Sequence, residues 1–228
     1  MFAKEFKGLP SMFSQSEENY IKTIYHISTT SNKGISTNAI AKKLNTKASS
    51  VTDMIKKLSE KKVVVYKKYQ GVNLTEFGKK TAINIIRKHR LWEVFLVEKL
   101  NFSWDEVHEV AEQLEHIKSP KLIDELDKFL GFPKSDPHGT PIPDKDGNII
   151  IQQKTPLNLL DIGYEGKILS VRNSSDNFLR YLNKKNIAIG QNIKVITKEP
   201  FDKTVIIDIN GKEITLIDEV ASNLLISN

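Results

Sequence analysis

Ser36–Leu74, STNAIAKKLNTKASSVTDMIKKLSEKKVVVYKKYQGVNL, is the stretch that decides the fold. Ser36 is placed to cap a short helix, Thr37 to Leu44, because its hydroxyl can accept from backbone N–H groups left open by the first turn. A turn at Asn45-Thr46-Lys47 leads into a second helix from Ala48 to about Glu60, with Val51, Met54, Ile55 and Leu58 at helical spacing. Val63-Val64-Val65-Tyr66 is a β-type run, and after Lys67-Lys68-Tyr69-Gln70-Gly71 comes a second, Val72-Asn73-Leu74. Strand, glycine-bearing turn and strand make a small hairpin. Upstream, Ser14-Gln15-Ser16-Glu17 reads as a capping box that opens a helix over roughly 16–29, with Tyr20, Ile24 and Ile27 inward.

Three helices followed by a basic hairpin is the winged helix-turn-helix pattern. In it the second helix of the pair lies in the major groove and wing lysines neutralise phosphates. Lys47, Ser49, Ser50, Thr52 and Asp53 stand at the front of that helix, where side chains reach base edges. Lys56 and Lys57 follow within a turn, and Lys67 and Lys68 sit on the wing. Capping is the alternative role for Thr46 and Ser49. Asp53 could accept from a cytosine amine or simply pair with Lys56 or Lys57.

Charge supports a polyanionic partner. Residues 1–80 hold fifteen Lys and no Arg against six Asp and Glu, a net of +9, while the whole chain is +6. A basic first third joined to a mildly acidic remainder places the polyanion at the N-terminal part, although a lysine-rich solvated surface is the common alternative. Hydrophobic content of 39% and charged content of 27% describe a soluble protein, long enough for one large domain or two to three small ones. The longest apolar runs fall far short of a membrane span, and no secretory signal is visible. The absence of cysteine excludes disulfides and thiolate metal sites, and fits the cytoplasm.

Thr75 is placed to cap a long helix, Glu76 to about Lys99, which carries His89 and Glu93 one turn apart. Ser103-Trp104-Asp105-Glu106 reads as another capping box. The helix it opens carries His108, Glu112, Glu115 and His116 within an arc of roughly 100°, beside an apolar face of Val107, Val110, Ala111, Leu114 and Ile117. Such Glu and His side chains are usually solvated or paired. The zinc-protease pattern H-E-x-x-H fails here, because His108-Glu109 lacks the second imidazole. Ser119-Pro120 starts a further helix running to Leu130. The apolar surplus of these helices (Ile83, Ile86, Leu91, Phe95, Leu96, Leu122, Leu126, Phe129) fits a dimer interface. Pro133–Pro156, rich in Pro, Gly and Asp, reads as an ordered loop or linker and holds Asp136 and His138. Residues 157–228 alternate short strands (Lys167–Val171, Ile193–Ile196, Thr204–Ile209, Glu213–Leu216) with turns and one helix near Asn177–Leu182, a small β-barrel of the SH3 type. The expected fold is mostly α with a β C-terminal domain: a winged helix over 1–75, a helical metal-binding and dimerisation domain over 76–145, a linker over 146–156, and the SH3-like domain over 157–228.

The segments SEENYIKTIY, ASSVTDMIKKL, LTEFGKK, RKHRLWEVFL, VHEVAEQLEH and DPHGTPIP, in this order, resemble the iron- and manganese-dependent repressors of the DtxR/MntR type, with a looser FeoA-type likeness at the C-terminus. The resemblance implies a metal site made of Asn19, Glu112, Glu115 and His116. Asn19 stands where Asp or Met is usual, so neighbouring Glu18 is the alternative ligand. Lys22 stands where the manganese type has a further Glu. A second implied site uses His89, Glu93 and His108, or, in some relatives, Asp136 and His138 with His89 or Glu93. Asp176 is the candidate ligand from the SH3-like domain. These oxygen and nitrogen donors suit Mn²⁺ or Fe²⁺, with other divalent metals binding in vitro. The resemblance implies a homodimeric repressor that metal activates to bind a palindromic duplex operator. A metal-storage module, or a winged-helix regulator that senses another signal, is the rival.

Overall fold

The computed structural model describes residues 13–30, 34–67 and 70–227. Lys68, expected on the wing, lies outside the described residues. Chain contacts divide the protein into two compact units: residues 1–89 with 112–125 and 143–148, and residues 90–111 with 126–142 and 149–228.

The first unit begins with α1 (Gln15–Ser28), where Ser14 accepts from the Glu17 amide and Glu17 returns to the Ser14 amide. This reciprocal cap satisfies two otherwise open N–H groups and fixes where the helix starts. Helix α2 (Thr37–Lys43) is capped by the Ser36 hydroxyl, and α3 (Ala48–Glu60) follows. At α3 Lys47 holds the cap position without a side-chain cap hydrogen bond, so the alternative capping role of Thr46 and Ser49 is not taken up. Both residues are therefore exposed polar groups beside the helix start. Strands β1 (Val64–Lys67) and β2 (Gly71–Leu74) pair antiparallel, and Ile35 adds a bridge to Val72. Ile21, Ile24, Ile40, Val51, Ile55, Leu58, Val63 and Val72 fill the core between them. Thr75 then caps α4 (Glu76–Leu100) by accepting from the Gly78 amide.

Helix α5 (Val107–Leu114) is shorter than its pattern implied. Glu115 and His116 lie in the turn after it rather than on its face. Helical spacing groups His108 with Glu112, Glu115 and His116, but the helix ends before the last two, and His108 stands beside Glu93 instead. Helix α6 (Pro120–Phe129) starts with Pro at its first position and the Ser119 hydroxyl accepting from Leu122.

In the second unit an antiparallel sheet of order β3-β8-β4-β5-β6-β7 carries the C-terminal domain. Its strands are β3 (Lys154–Pro156), β4 (Glu165–Val171), β5 (Asn192–Lys198), β6 (Val205–Ile209), β7 (Lys212–Leu216) and β8 (Leu224–Ser227). Helix α7 (Asp176–Lys184) and a single turn, α8 (Asp218–Ala221), complete it. Asn210-Gly211, both at positive φ, closes β6 onto β7 as a two-residue hairpin demands. Ile168, Leu179, Leu182, Val195, Ile207, Leu216, Leu224 and Ile226 form its core. The sequence reading missed β3 and β8. β3 is three residues long, contains a proline and gains its ladder only by pairing with β8 some seventy positions later.

Candidate metal and DNA sites

In the first unit, α1 and the turn after α5 meet through buried charge. The Lys22 ammonium lies 2.6 Å from Glu112 Oε1, 2.6 Å from Glu115 Oε1 and 2.8 Å from Glu115 Oε2. His89 Nδ1 is 2.7 Å from Glu115 Oε2. The Glu115 side chain is wholly buried, and burial opposes its ionisation. The hydrogen bond to His89 and the Lys22 charge outweigh that cost and hold the carboxyl below its ordinary value. Lys88 is buried nearby: desolvation pushes its ammonium down, against the pull of Glu18 and Glu115.

His116 and Glu18 form the other half of this cluster, with Nδ1 2.6 Å from Glu18 Oε2. A carboxylate on Nδ1 fixes the ring and leaves Nε2 with its lone pair, the usual orientation of a metal-binding imidazole. That Nε2 lies 3.9 Å from Glu115 Oε1. Glu18, the alternative ligand, is therefore better suited to orienting His116. Asn19 Oδ1 is buried with no hydrogen-bond partner among the described residues. A buried amide oxygen left open costs stability unless a donor or cation meets it, so the Asn19 position fits a metal. His89, Glu112 and Glu115 offer ligand atoms within 4.8 Å of one another.

The second unit holds another cluster. Glu93, Asp136 and His138, all buried, place ligand atoms within 4.8 Å. His138 Nδ1 is 3.7 Å from Glu93 and 3.9 Å from Asp136. His108, 57% exposed, adds its Nδ1 at 3.6 Å from Glu93. Burial and the adjacent Glu93 charge raise the Asp136 pKa, against the pull of His138 and Arg90. Burial would lower that of His138, but the hydrogen bond and charge of Glu93, then Asp136, raise it.

The segment bearing Asp136 and His138 is pinned from several sides. Asp136 Oδ1 accepts from the amides of His138 and Thr140. The His138 carbonyl accepts from Val171, and its ring stacks on Trp104 at 6.1 Å between centroids. Gly139, at φ +77°, lies so close to β4 that a Cβ would stand 1.9 Å from the Leu169 carbonyl oxygen. Asp176, the candidate from the C-terminal domain, belongs to neither cluster. It lies 3.6 Å from Arg180, which Asp105 also holds at 3.2 Å, and this exposed ion pair draws the carboxylate along its own helix.

Every described residue expected to meet DNA is exposed. Lys47, Ser49, Ser50, Thr52, Asp53, Lys56 and Lys57 stand along one side of α3, and Lys67 ends β1. Asp53 lies 3.7 Å from Lys56, so the pairing foreseen for it is present. Elsewhere, Leu100, Leu122, Phe129 (64% exposed) and Phe132 remain uncovered. Among the described residues no helix is long and apolar enough to cross a membrane. The sequence does not reveal the place of Lys22, which reads there as a lost ligand, nor of buried Lys88 and half-buried Arg90. A lysine amid polar neighbours carries no local signal that its ammonium turns inward.

Three family models match the chain in order. They are the iron-dependent repressor N-terminal DNA-binding domain over residues 12–72, the iron-dependent repressor metal-binding and dimerisation domain over 75–144, and the FeoA domain over 155–228. An HTH-type transcriptional regulator of Methanocaldococcus jannaschii is 40% identical over 117 residues, covering 51% of this chain and 94% of that protein. The iron-dependent repressor IdeR of Mycobacterium tuberculosis is 32% identical over 128 residues, 55% of this chain and about half (54%) of that protein's length. A solved manganese-dependent transcriptional repressor in complex with manganese superposes with a TM-score of 0.80 at 31% identity, over 93% of this chain and 99% of that one.

Proposed function

The chain belongs to the family of iron- and manganese-dependent transcriptional repressors, and from that premise we propose how its own residues serve metal-controlled DNA binding. The observation that carries the reading is the buried cluster in which Glu18 of α1 meets His116, and Lys22 of α1 meets Glu112 and Glu115. Asn19, Glu112, Glu115 and His116 form one metal site, with Glu18 orienting His116. Glu93, Asp136 and His138 form a second, with His108 at its rim; His89 serves the first through Glu115. Bound at the first site, Mn²⁺ or Fe²⁺ supplies a positive charge shared by α1 and the turn after α5. The oxygen and nitrogen donors are those expected for these ions.

Helix α1 packs in the same core as the recognition helix α3, so fixing α1 restricts the winged helix as a body. A ligand shifts such an equilibrium only by its differential affinity, and a hundredfold bias takes about 2.7 kcal/mol. Lys47, Ser49, Ser50 and Thr52 face base edges, while Lys56, Lys57 and the wing lysines meet phosphates. The protein acts as a homodimer on a palindromic operator in the cytoplasm and represses metal-uptake genes. The uncovered Leu100, Leu122, Phe129 and Phe132 supply apolar surface for the partner copy.

Gel shifts with duplexes selected from a randomised pool test this. Retarded complexes are expected with Mn²⁺ or Fe²⁺ and not with chelator. The metal response is expected to disappear in Glu115→Ala and His116→Ala. Metal-independent binding by the native chain, or a normal metal response in both variants, contradicts the proposal.

A further inference from the structure

We propose that Lys22 is a tethered cation that competes with the metal for Glu112 and Glu115, and so sets how much metal the protein needs before it responds. The inference rests on the metal site proposed above and adds a regulatory role for one of this chain's own residues.

The geometry carries it. Three short contacts join the ammonium to Glu112 Oε1 and to both oxygens of Glu115, and His89 takes Glu115 Oε2 as well. Each Glu115 oxygen is thus already held by a cationic or hydrogen-bonding partner. Lys22 is itself buried, with its side chain 11% exposed. Its charge is therefore poorly screened, and a dication a few ångströms away would feel strong repulsion. Two further ligand atoms stay available: Asn19 Oδ1 has no hydrogen-bond partner among the described residues, and Glu18 contacts His116 at Nδ1, not at Nε2. Metal entry therefore requires Lys22 to withdraw from at least one Glu115 oxygen. The four-carbon stem of a lysine permits that movement without moving the helix, which a short side chain would not.

The same contacts give Lys22 a second consequence. Its single charge bridges two carboxylates, one wholly buried, and offsets part of the repulsion between them at the junction of α1 and the α5 turn. Lysine replaces metal there as a weaker, single-charge clasp. Binding one cation and releasing the other is an exchange, so the apparent metal affinity is the intrinsic affinity reduced by the cost of displacing Lys22.

The test uses the full chain carrying Asp136→Ala and His138→Ala, which removes the second cluster, with Lys22, Lys22→Met, Lys22→Gln or Lys22→Arg. Mn²⁺ affinity is read by competition with a fluorescent chelator, and folding of each variant by circular dichroism. Lys22→Met and Lys22→Gln are expected to bind Mn²⁺ at least about tenfold more tightly, since a like charge beside the site is removed. Lys22→Arg keeps the charge and is expected to stay close to the Lys22 protein. The metal-free Met and Gln variants should also melt at a lower temperature, with Mn²⁺ raising it by more than it does with Lys22. Equal or weaker Mn²⁺ binding in folded Met and Gln variants overturns the role of Lys22 while leaving the metal site standing. If neither the Lys22 protein nor its uncharged variants bind Mn²⁺, the metal site itself fails, and the competition with it.

Discussion

In the first cluster Glu112 and Glu115 meet an ammonium, that of Lys22; in the second, Glu93 and Asp136 crowd around His138, and Arg90 is 3.6 Å from Asp136 at its nearest approach. The pKa directions follow from this contrast. Glu115 is held below its ordinary value despite burial, whereas Asp136 is pushed above its own by burial and by Glu93. Lys22 meets both carboxylates of the first cluster at hydrogen-bond distance, whereas Arg90 approaches Asp136 only at 3.6 Å and burial with Glu93 still raises its pKa, so the second cluster gains more from a dication. The second cluster is therefore expected to take Mn²⁺ first, and the first cluster to respond at higher concentration. The ion that arrives first would sit in the cluster pinned to β4 through Val171 and Gly139. The ion that arrives second would sit in the cluster that shares a core with the recognition helix.

Removing Glu115 gives the largest expected effect. Glu115→Ala deletes the carboxylate common to Lys22, His89 and the proposed metal, and the whole metal-dependent gain in DNA affinity, about a hundredfold if the bias is 2.7 kcal/mol, should vanish. Fluorescence anisotropy of a labelled duplex measures it, and a preserved gain would break the assignment of the responding role to the first cluster. Asp136→Ala comes next. Calorimetric titration should lose the tighter of two Mn²⁺ binding events, weakened by about tenfold or more, while the weaker event persists. A variant that loses the weaker event instead would invert the proposed order.

Glu112, Glu115 and His116 could be grouped from the sequence because they follow the apolar spacing of α5, whereas His89, expected with Glu93 and His108, lies against Glu115 through a contact 26 positions away. The recognition helix was legible for the same reason, with Val51, Ile55 and Leu58 buried where their spacing put them. What could not be read was which charges meet across ninety-odd positions. Lys22 and Glu18 sit next to Ile21 and Ile24 on α1, and nothing local tells an exposed lysine from one turned onto a distant carboxylate. The end of α5 at Leu114 was hidden because Glu115 and His116 continue the helical spacing beyond the last hydrogen-bonded turn. Asp176, expected as a ligand from the C-terminal domain, is paired with Arg180 one helical turn away, a local contact that its spacing permits. The short edge strands β3 and β8 depend on each other, so neither is visible alone.

Smaller effects sharpen the comparison from the outside. Lys67→Ala removes an exposed wing charge far from either cluster in sequence. It should weaken DNA binding by a few fold regardless of sequence and reduce the salt slope by about one, with Mn²⁺ affinity unchanged. Anisotropy at several salt concentrations measures both. Asp105→Asn probes the frame of the second cluster, since Asp105 holds Arg180 and Asn183 of α7 beside Trp104. Burial would raise the Asp105 carboxyl, but the hydrogen bonds from Ser103 and its own backbone, with Arg180, hold it below its ordinary value. Its contribution is then present above the unfolded value of 3.8 and lost as pH falls through the lower folded value. Thermal melts should show Asp105→Asn less stable by roughly 0.5–1 kcal/mol at neutral pH, with the difference closing in acid.

Thermodynamic reciprocity offers the most direct measurement. If metal tightens DNA binding by some factor, DNA must tighten metal binding by the same factor. Mn²⁺ affinity of the native chain should therefore be measured with and without saturating selected duplex. Tighter Mn²⁺ binding in the presence of DNA is expected, with the gain lost in Glu115→Ala and retained in Lys67→Ala once the duplex is saturating. Identical Mn²⁺ affinity with and without DNA would contradict metal control of DNA binding, whatever the geometry of the two clusters.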